Sequence, residues 1–178
     1  MTDALAANEQ PADLSTLVAL AARIQAAMLE RGLTLATAES CTGGLIGYAL
    51  TENGGSSQFY VGGLISYSDE LKESELGVDR KTLQHHGAVS AQTCVAMAAG
   101  AQAHYRASVG LSVTGIAGPD GGSEQKPVGL TYVAIADVDG HDVRRNVWLG
   151  DRHSNRMQSA EACLLLLLER LGAGAEGA

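Results

Sequence analysis

The chain has 178 residues, 46% hydrophobic and 18% charged, which fits one folded domain with a sizeable core and excludes disorder of the whole chain. Its 12 basic and 20 acidic residues give a formal charge of −8, which argues against a nucleic acid or an anionic membrane as partner. Aromatic residues are only 4%, so the core must be built from Ala, Val, Ile and Leu.

Residues 1–12 read as a disordered leader and 172–178 as a flexible tail, leaving 13–171 as a single domain. The N-terminus has neither a basic stretch nor a continuous apolar core, so it is not read as a secretory signal. The densest apolar run, Ala162 to Leu168, is too short to cross a membrane. Cys41, Cys94 and Cys163 are scattered and form no CxxC, as expected of reduced thiols in a cytoplasmic protein. No HExxH occurs, and the adjacent His85 and His86 are badly spaced for one metal; no metal and no cofactor are expected.

In chain order, Leu14, Leu17, Val18, Ala21, Ile24 and Met28 recur at helical spacing, and Arg31-Gly32 ends that helix. Leu33 to Ala38 reads as a strand and runs through Glu39-Ser40-Cys41-Thr42-Gly43-Gly44 into an apolar helix, Leu45 to Leu50. Phe59 to Tyr67 reads as a second strand, and 69–76 as a short charged helix or loop. Ser90 is placed to cap the helix Ala91 to Tyr105. Ser108 to Thr114 is a third strand, followed by the loop GIAGPDGGSEQKP. Val128 to Asp137 and Val143 to Leu149 read as strands joined at Asp139-Gly140, a hairpin signal, and Asp151 to Leu171 is the closing helix. This order predicts an α/β fold: a three-layer α/β/α sandwich whose mixed sheet includes an antiparallel hairpin.

Four segments carry candidate chemistry. The strand-to-helix turn 37–44 could present a hydroxyl as nucleophile, with free amides of the helix start beside it; it reads equally as a capped turn. Cys41 is a rival nucleophile there. Lysine is scarce, with only Lys72, Lys81 and Lys126. A buried Lys72 could serve Ser40 as base, although the acidic residues around it also suit a solvated face. Tyr67 and Lys72 could converge only across a strand-to-helix turn. The glycine-rich loop after Thr114 could cradle an anion with backbone amides, without matching a dinucleotide fingerprint or a P-loop. Arg152 and Arg156 share one face at the start of the last helix and suit either a phosphate or surface ion pairs.

TAESCTGG at 37–44, GG-x3-Y-x4-K from Gly62 to Lys72, LGV at 76–78, GAVS at 87–90, TGIAGPDGG at 114–122, KPVG at 126–129 and GDR at 150–152 occur together in that order. In this the chain resembles the CinA C-terminal-domain family, the nicotinamide-nucleotide amidohydrolases, over roughly residues 14–171. The family pattern as a rule has a phenylalanine leading into GDR. Here Trp148-Leu149 stand there, which is expected to alter packing and not function.

The resemblance implies a hydrolase that converts nicotinamide mononucleotide and water to nicotinic acid mononucleotide and ammonia in pyridine nucleotide recycling. It places the catalytic serine on Ser40, and the tyrosine and lysine of the set on Tyr67 and Lys72. For the substrate it leaves Thr42, Gly43 and Gly44 as oxyanion donors, and Thr114, Gly115, Ile116, Ala117, Gly118, Lys126, Arg152 and Arg156 as candidate nucleotide contacts. Family members can carry a further N-terminal metal-dependent pyrophosphatase domain; that activity is not expected here. The Ala/Gly-rich helices suggest a homo-oligomer, a dimer. Two rival readings are a Ser–Lys hydrolase acting on another amide or ester, and a nucleotide-binding or regulatory module without turnover.

Overall fold

A computed structural model describes residues 12–172. Of the expected leader and tail, 1–11 and 173–178 lie outside the described residues, while Ala12 packs partly buried against the core. The elements are α1 (Leu14–Arg31), β1 (Leu35–Glu39), α2 (Leu45–Glu52), β2 (Tyr60–Ile65), α3 (Asp69–Leu76), α4 (Arg80–His86), α5 (Ala91–Tyr105), β3 (Val109–Gly115), β4 (Leu130–Asp137), β5 (Gly140–Val147) and α6 (Arg152–Arg170), with a 3-10 turn at Ser56–Gln58. The strands form one sheet in the order β2-β1-β3-β4-β5. β1 runs parallel to β2 and β3, whereas β4 is antiparallel to both β3 and β5. The predicted mixed three-layer sandwich is the fold.

Side-chain alternation along the strands sorts the core into two unequal halves. Leu35, Val109, Leu111, Val113, Val133 and Ile135 point to the face covered by α1 and α6 and form the large cluster. Ala36 and Ala38 point to the other face, toward Met97 and Ala101 of α5, and Ala134 and Ala136 meet Cys94 and Ala98. Gly110 belongs to this second face: a Cβ there would collide with the Ala98 carbonyl of α5. Small side chains on one face let α5 lie close on the sheet, which is why so few aromatics suffice. The buried face of α5, Thr93, Cys94, Met97, Ala98 and Ala101, is therefore accounted for by the sheet.

The helix starts follow the expected capping chemistry. Ser90 accepts from Thr93 N and Asp151 from Ser154 N. Helix α4 has no counterpart among the predicted elements: of RKTLQHH only Leu83 is buried, so no apolar period marks it, and it begins on a cap in which Asp79 accepts from Lys81 N. Strand β5 starts at Gly140 instead of Val143, because the exposed Gly140–Asp142 pair with β4 through the backbone, which side-chain pattern does not register. Trp148 packs against the large cluster and donates from Nε1 to Ser159 Oγ at 3.0 Å, the packing role expected of it.

Candidate active site

The three parallel strands end side by side, and the candidate residues lie just past those ends, where open α/β sheets form their crevice. Ser40 follows β1, and its amide donates to Val113 O of β3 at 3.1 Å. Ser66 follows β2, and its amide donates to Glu39 O at 2.8 Å. The chain then turns through Gly43 and Gly44, both in the left-handed region (φ 63° and 98°), to enter α2. A side chain at either position would be strained by that backbone.

Glu39 organises this turn. It is 2% exposed. One carboxylate oxygen, Oε2, accepts from Thr42 Oγ1 at 2.6 Å, Gly44 N at 2.9 Å and Ile46 N at 3.3 Å. The other, Oε1, accepts from Gly47 N at 2.8 Å. The protein's own carboxylate thus occupies the N-terminus of α2, where an outside anion would otherwise bind. The Gly43 amide is also engaged, donating to Ser40 O at 3.1 Å. Of the three amides expected to serve a substrate oxygen, those of Gly43 and Gly44 are committed to the turn itself.

Lys72 comes to Ser40 from α3. Ser68 caps that helix, and the first turn swings Lys72 back under the strand ends, where its side chain is 1% exposed. Nζ donates to Ser66 O at 2.7 Å, to Ser40 Oγ at 3.4 Å and to Ser68 O at 3.5 Å. Burial pushes the ammonium below the usual lysine range, an effect opposed by the nearby carboxylates of Asp69 and Glu70. The solvated acidic face suggested by its neighbours is not where Lys72 lies.

Tyr67 goes the other way. It is 60% exposed, and its hydroxyl accepts from Arg152 Nη2 at 3.2 Å, with no bond to Lys72 or Ser40. Serine and lysine are brought together, and the tyrosine is left at the rim. Arg152 also donates from Nη1 to Gly118 O at 2.7 Å, so it spans from Tyr67 to the glycine-rich loop. Arg156, one turn on, donates to Cys41 O at 3.2 Å and Thr42 O at 2.6 Å. Both guanidiniums are satisfied by neutral oxygens and stand in none of the ion pairs among the described residues. In a chain of net charge −8, Arg152 and Arg156 place two cations at this end of the sheet, one against Tyr67 and one against the turn after β1.

The loop candidates are held by their own framework. Ile116 N donates to Leu130 O at 2.8 Å, and the Thr114 hydroxyl donates to Ala88 O at 2.9 Å. Gly115 is still within β3, opposite Thr131. Asn155 is 1% exposed, donates to Ala117 O at 3.1 Å and accepts from Gly150 N at 3.1 Å, clamping the loop to α6. Lys126 Nζ is anchored on His86 O at 2.6 Å, at the C-terminus of α4. Sequence reasoning passed over Glu39, Ser66 and Asn155. The signal for Glu39 was present, as an acid closing an apolar strand directly before the glycine turn.

Cys41 is a poor rival to Ser40. Burial pushes its thiol up to about 12, so no thiolate is available near neutral pH. The three cysteines are all buried. Cys41→Ala is expected to keep turnover within a few-fold and to lower stability by about 1 kcal/mol, read by an ammonia assay and thermal unfolding. Inactivation of the native protein by iodoacetamide, prevented in Cys41→Ala, would restore the thiol as a candidate.

No helix among the described residues is long and apolar enough to cross a membrane, and none of their His, Cys, Asp and Glu side chains form a group of three or more that could hold a metal.

The model of the CinA C-terminal domain matches residues 17–171. The nicotinamide-nucleotide amidohydrolase PncC of Escherichia coli K12 is 43% identical over 157 residues, covering 88% of this chain and 95% of that protein. A CinA-like protein of Geobacter sulfurreducens is 49% identical over 142 residues, covering 80% of this chain. The chain spans between 34% and 39% of the length of this and two other long relatives. The crystal structure of the competence/damage inducible protein CihA from Agrobacterium tumefaciens superposes with a TM-score of 0.82 at 41% identity, covering 88% of this chain and 96% of that one.

Proposed function

The chain belongs to the CinA C-terminal domain family, and from that premise we propose that it is an amidohydrolase that releases ammonia from nicotinamide mononucleotide and leaves nicotinic acid mononucleotide. The observation that carries this reading is the buried Lys72 amine 3.4 Å from Ser40 Oγ at the end of β1. Similarity along 95% of the E. coli protein named for that activity supports it.

In the proposed reaction Ser40 Oγ attacks the carboxamide carbon while neutral Lys72 takes the hydroxyl proton. The tetrahedral oxyanion is met by the Thr42 amide, since its neighbours at Gly43 and Gly44 are engaged. Collapse breaks the C–N bond, and the Lys72 ammonium gives its proton to the departing nitrogen, releasing ammonia. Water then attacks the Ser40 ester, passing a proton to Lys72. The ester C–O bond breaks, that proton returns to Ser40, and the acid leaves. Burial of Lys72 supports this scheme, because an amine ordinarily charged at neutral pH must be uncharged to act as base.

Arg152, Arg156 and the turn from Gly115 at the end of β3 to Gly118 are the groups assigned to the phosphate, with Tyr67 and Arg152 at the rim of the substrate's approach. Holding a phosphate by Arg152 requires it to exchange the neutral Gly118 carbonyl for a charged acceptor, a stronger bond. Arg152→Ala is expected to raise KM for nicotinamide mononucleotide about tenfold or more, with a smaller change in kcat.

The experiment that tests the function is an ammonia assay on the purified chain with nicotinamide mononucleotide, free nicotinamide and simple esters. Release from the mononucleotide far above the others supports the proposal. Equal turnover of free nicotinamide or of esters would transfer it to a less selective Ser–Lys hydrolase. Binding of the mononucleotide without ammonia release would make the chain a binding module.

A further inference from the structure

The mechanism needs Lys72 uncharged, yet one carboxylate stands against it. Asp69 Oδ1 lies 4.0 Å from Lys72 Nζ, one helical turn back in α3. The pair is asymmetric. Lys72 is 1% exposed and fixed by the Ser66 carbonyl, whereas Asp69 is 56% exposed. Asp69 is not needed to begin the helix, because the capping bond to Leu71 N comes from Ser68 Oγ at 3.3 Å.

We propose that Asp69 is a positioning residue that stabilises the charged form of Lys72 and so sets the acid edge of the pH range in which the site works. This rests on the reading of Lys72 as the base of the amide hydrolysis.

The other ionisable groups around Lys72 leave this role to Asp69. On its own helix, Glu70 is exposed and acts in the same direction more weakly. From the turn after β1, the Cys41 thiol is protonated near neutral pH. Arg156 of α6 reaches that same turn and bonds the Cys41 and Thr42 carbonyls. From α5, packed on α3, Cys94 is buried against Ser112 and Tyr132, and the rings of His104 and Tyr105 meet edge to face at the far end. From β2, the Tyr60 hydroxyl is paired with Thr37 at 2.8 Å.

The sign follows from the charges. Below the pH at which Lys72 loses its proton the base is blocked, and a nearby anion moves that point upward. Asp69→Asn keeps size and removes the charge. It is expected to move the acid limb of kcat/KM to lower pH by about one unit, the lower end for a carboxylate this near and this exposed. Activity on the acid limb therefore rises on removing a charge beside the site. The chain has three lysines (Lys72, Lys81 and Lys126), so 13Cε-labelled lysine gives three signals and Lys72 can be titrated by NMR without any substrate. Glu75→Gln, one turn beyond Lys72 and exposed, is the control and is expected to move neither readout. Parallel downward shifts of the Lys72 titration and of the acid limb in Asp69→Asn support the inference. Active enzyme in which neither shifts overturns it, as does a shift of equal size in Glu75→Gln. If the wild type releases no ammonia, the functional reading fails, while the NMR titration still decides whether Asp69 controls the ionisation of Lys72.

Discussion

Ser40→Ala is expected to lower ammonia release by at least ~10³-fold and to leave the fold intact, and Lys72→Met is expected to match it. The two substitutions remove opposite ends of one 3.4 Å contact, so the double variant should be scarcely worse than either alone, as for groups acting as a unit. The structural consequences differ. The Ser40 hydroxyl gives up only that long bond. Met in place of Lys72 keeps the length of the stem, removes a buried amine and leaves the Ser66 carbonyl without the 2.7 Å bond it accepts. Relief of desolvation and loss of a carbonyl's partner oppose each other. Thermal midpoints within a few degrees of wild type are therefore expected for both. Lys72→Arg keeps the positive charge but not the ability to lose it, and should be as inactive as Lys72→Met. Substantial turnover in Lys72→Met would mean that another group is the base.

Glu39→Gln is expected to damage stability and turnover together. The carboxylate accepts four hydrogen bonds, all from the turn and first residues of α2. An amide in its place must turn an NH₂ group toward N–H or O–H donors at one of the two positions. It also removes the negative charge from the N-terminal end of α2. Losing charge-assisted bonds and leaving buried amides unpaired costs about 2–3 kcal/mol. For a domain of this size that corresponds to a fall in Tm of roughly 5–10 °C, measurable by calorimetry. Because Glu39 immediately precedes Ser40, the loosened turn should lower kcat more than it raises KM. An unchanged Tm in Glu39→Gln would show that the turn holds its shape through Gly43 and Gly44 alone.

Much of the fold was legible because its signals are local. Apolar spacing marked α1, the glycine-rich turn marked the junction of β1 and α2, and Ser90 marked the start of α5 by capping chemistry. What escaped was structure without a side-chain signature. Helix α4 buries a single residue, and the first residues of β5 are exposed and held by backbone pairing. The packing of the sheet's small second face, with its alanines and glycine, against α5 became identifiable only in three dimensions.

The same division runs through the candidate site. The resemblance of the motifs to those of the CinA family put Ser40, Tyr67 and Lys72 forward as a set, while spacing along the chain says nothing about meeting in space. It could not tell a buried lysine from one on a solvated acidic face, since Asp69, Glu70, Glu73 and Glu75 surround Lys72 in sequence while it alone among them turns inward. Tertiary structure decided that Lys72 reaches Ser40 and that Tyr67 turns outward to Arg152. It also decided that the first helical amides after Ser40 are taken by Glu39. The physical reason is that desolvation and hydrogen-bond competition depend on which elements pack together, and no local window of sequence contains its packing partners.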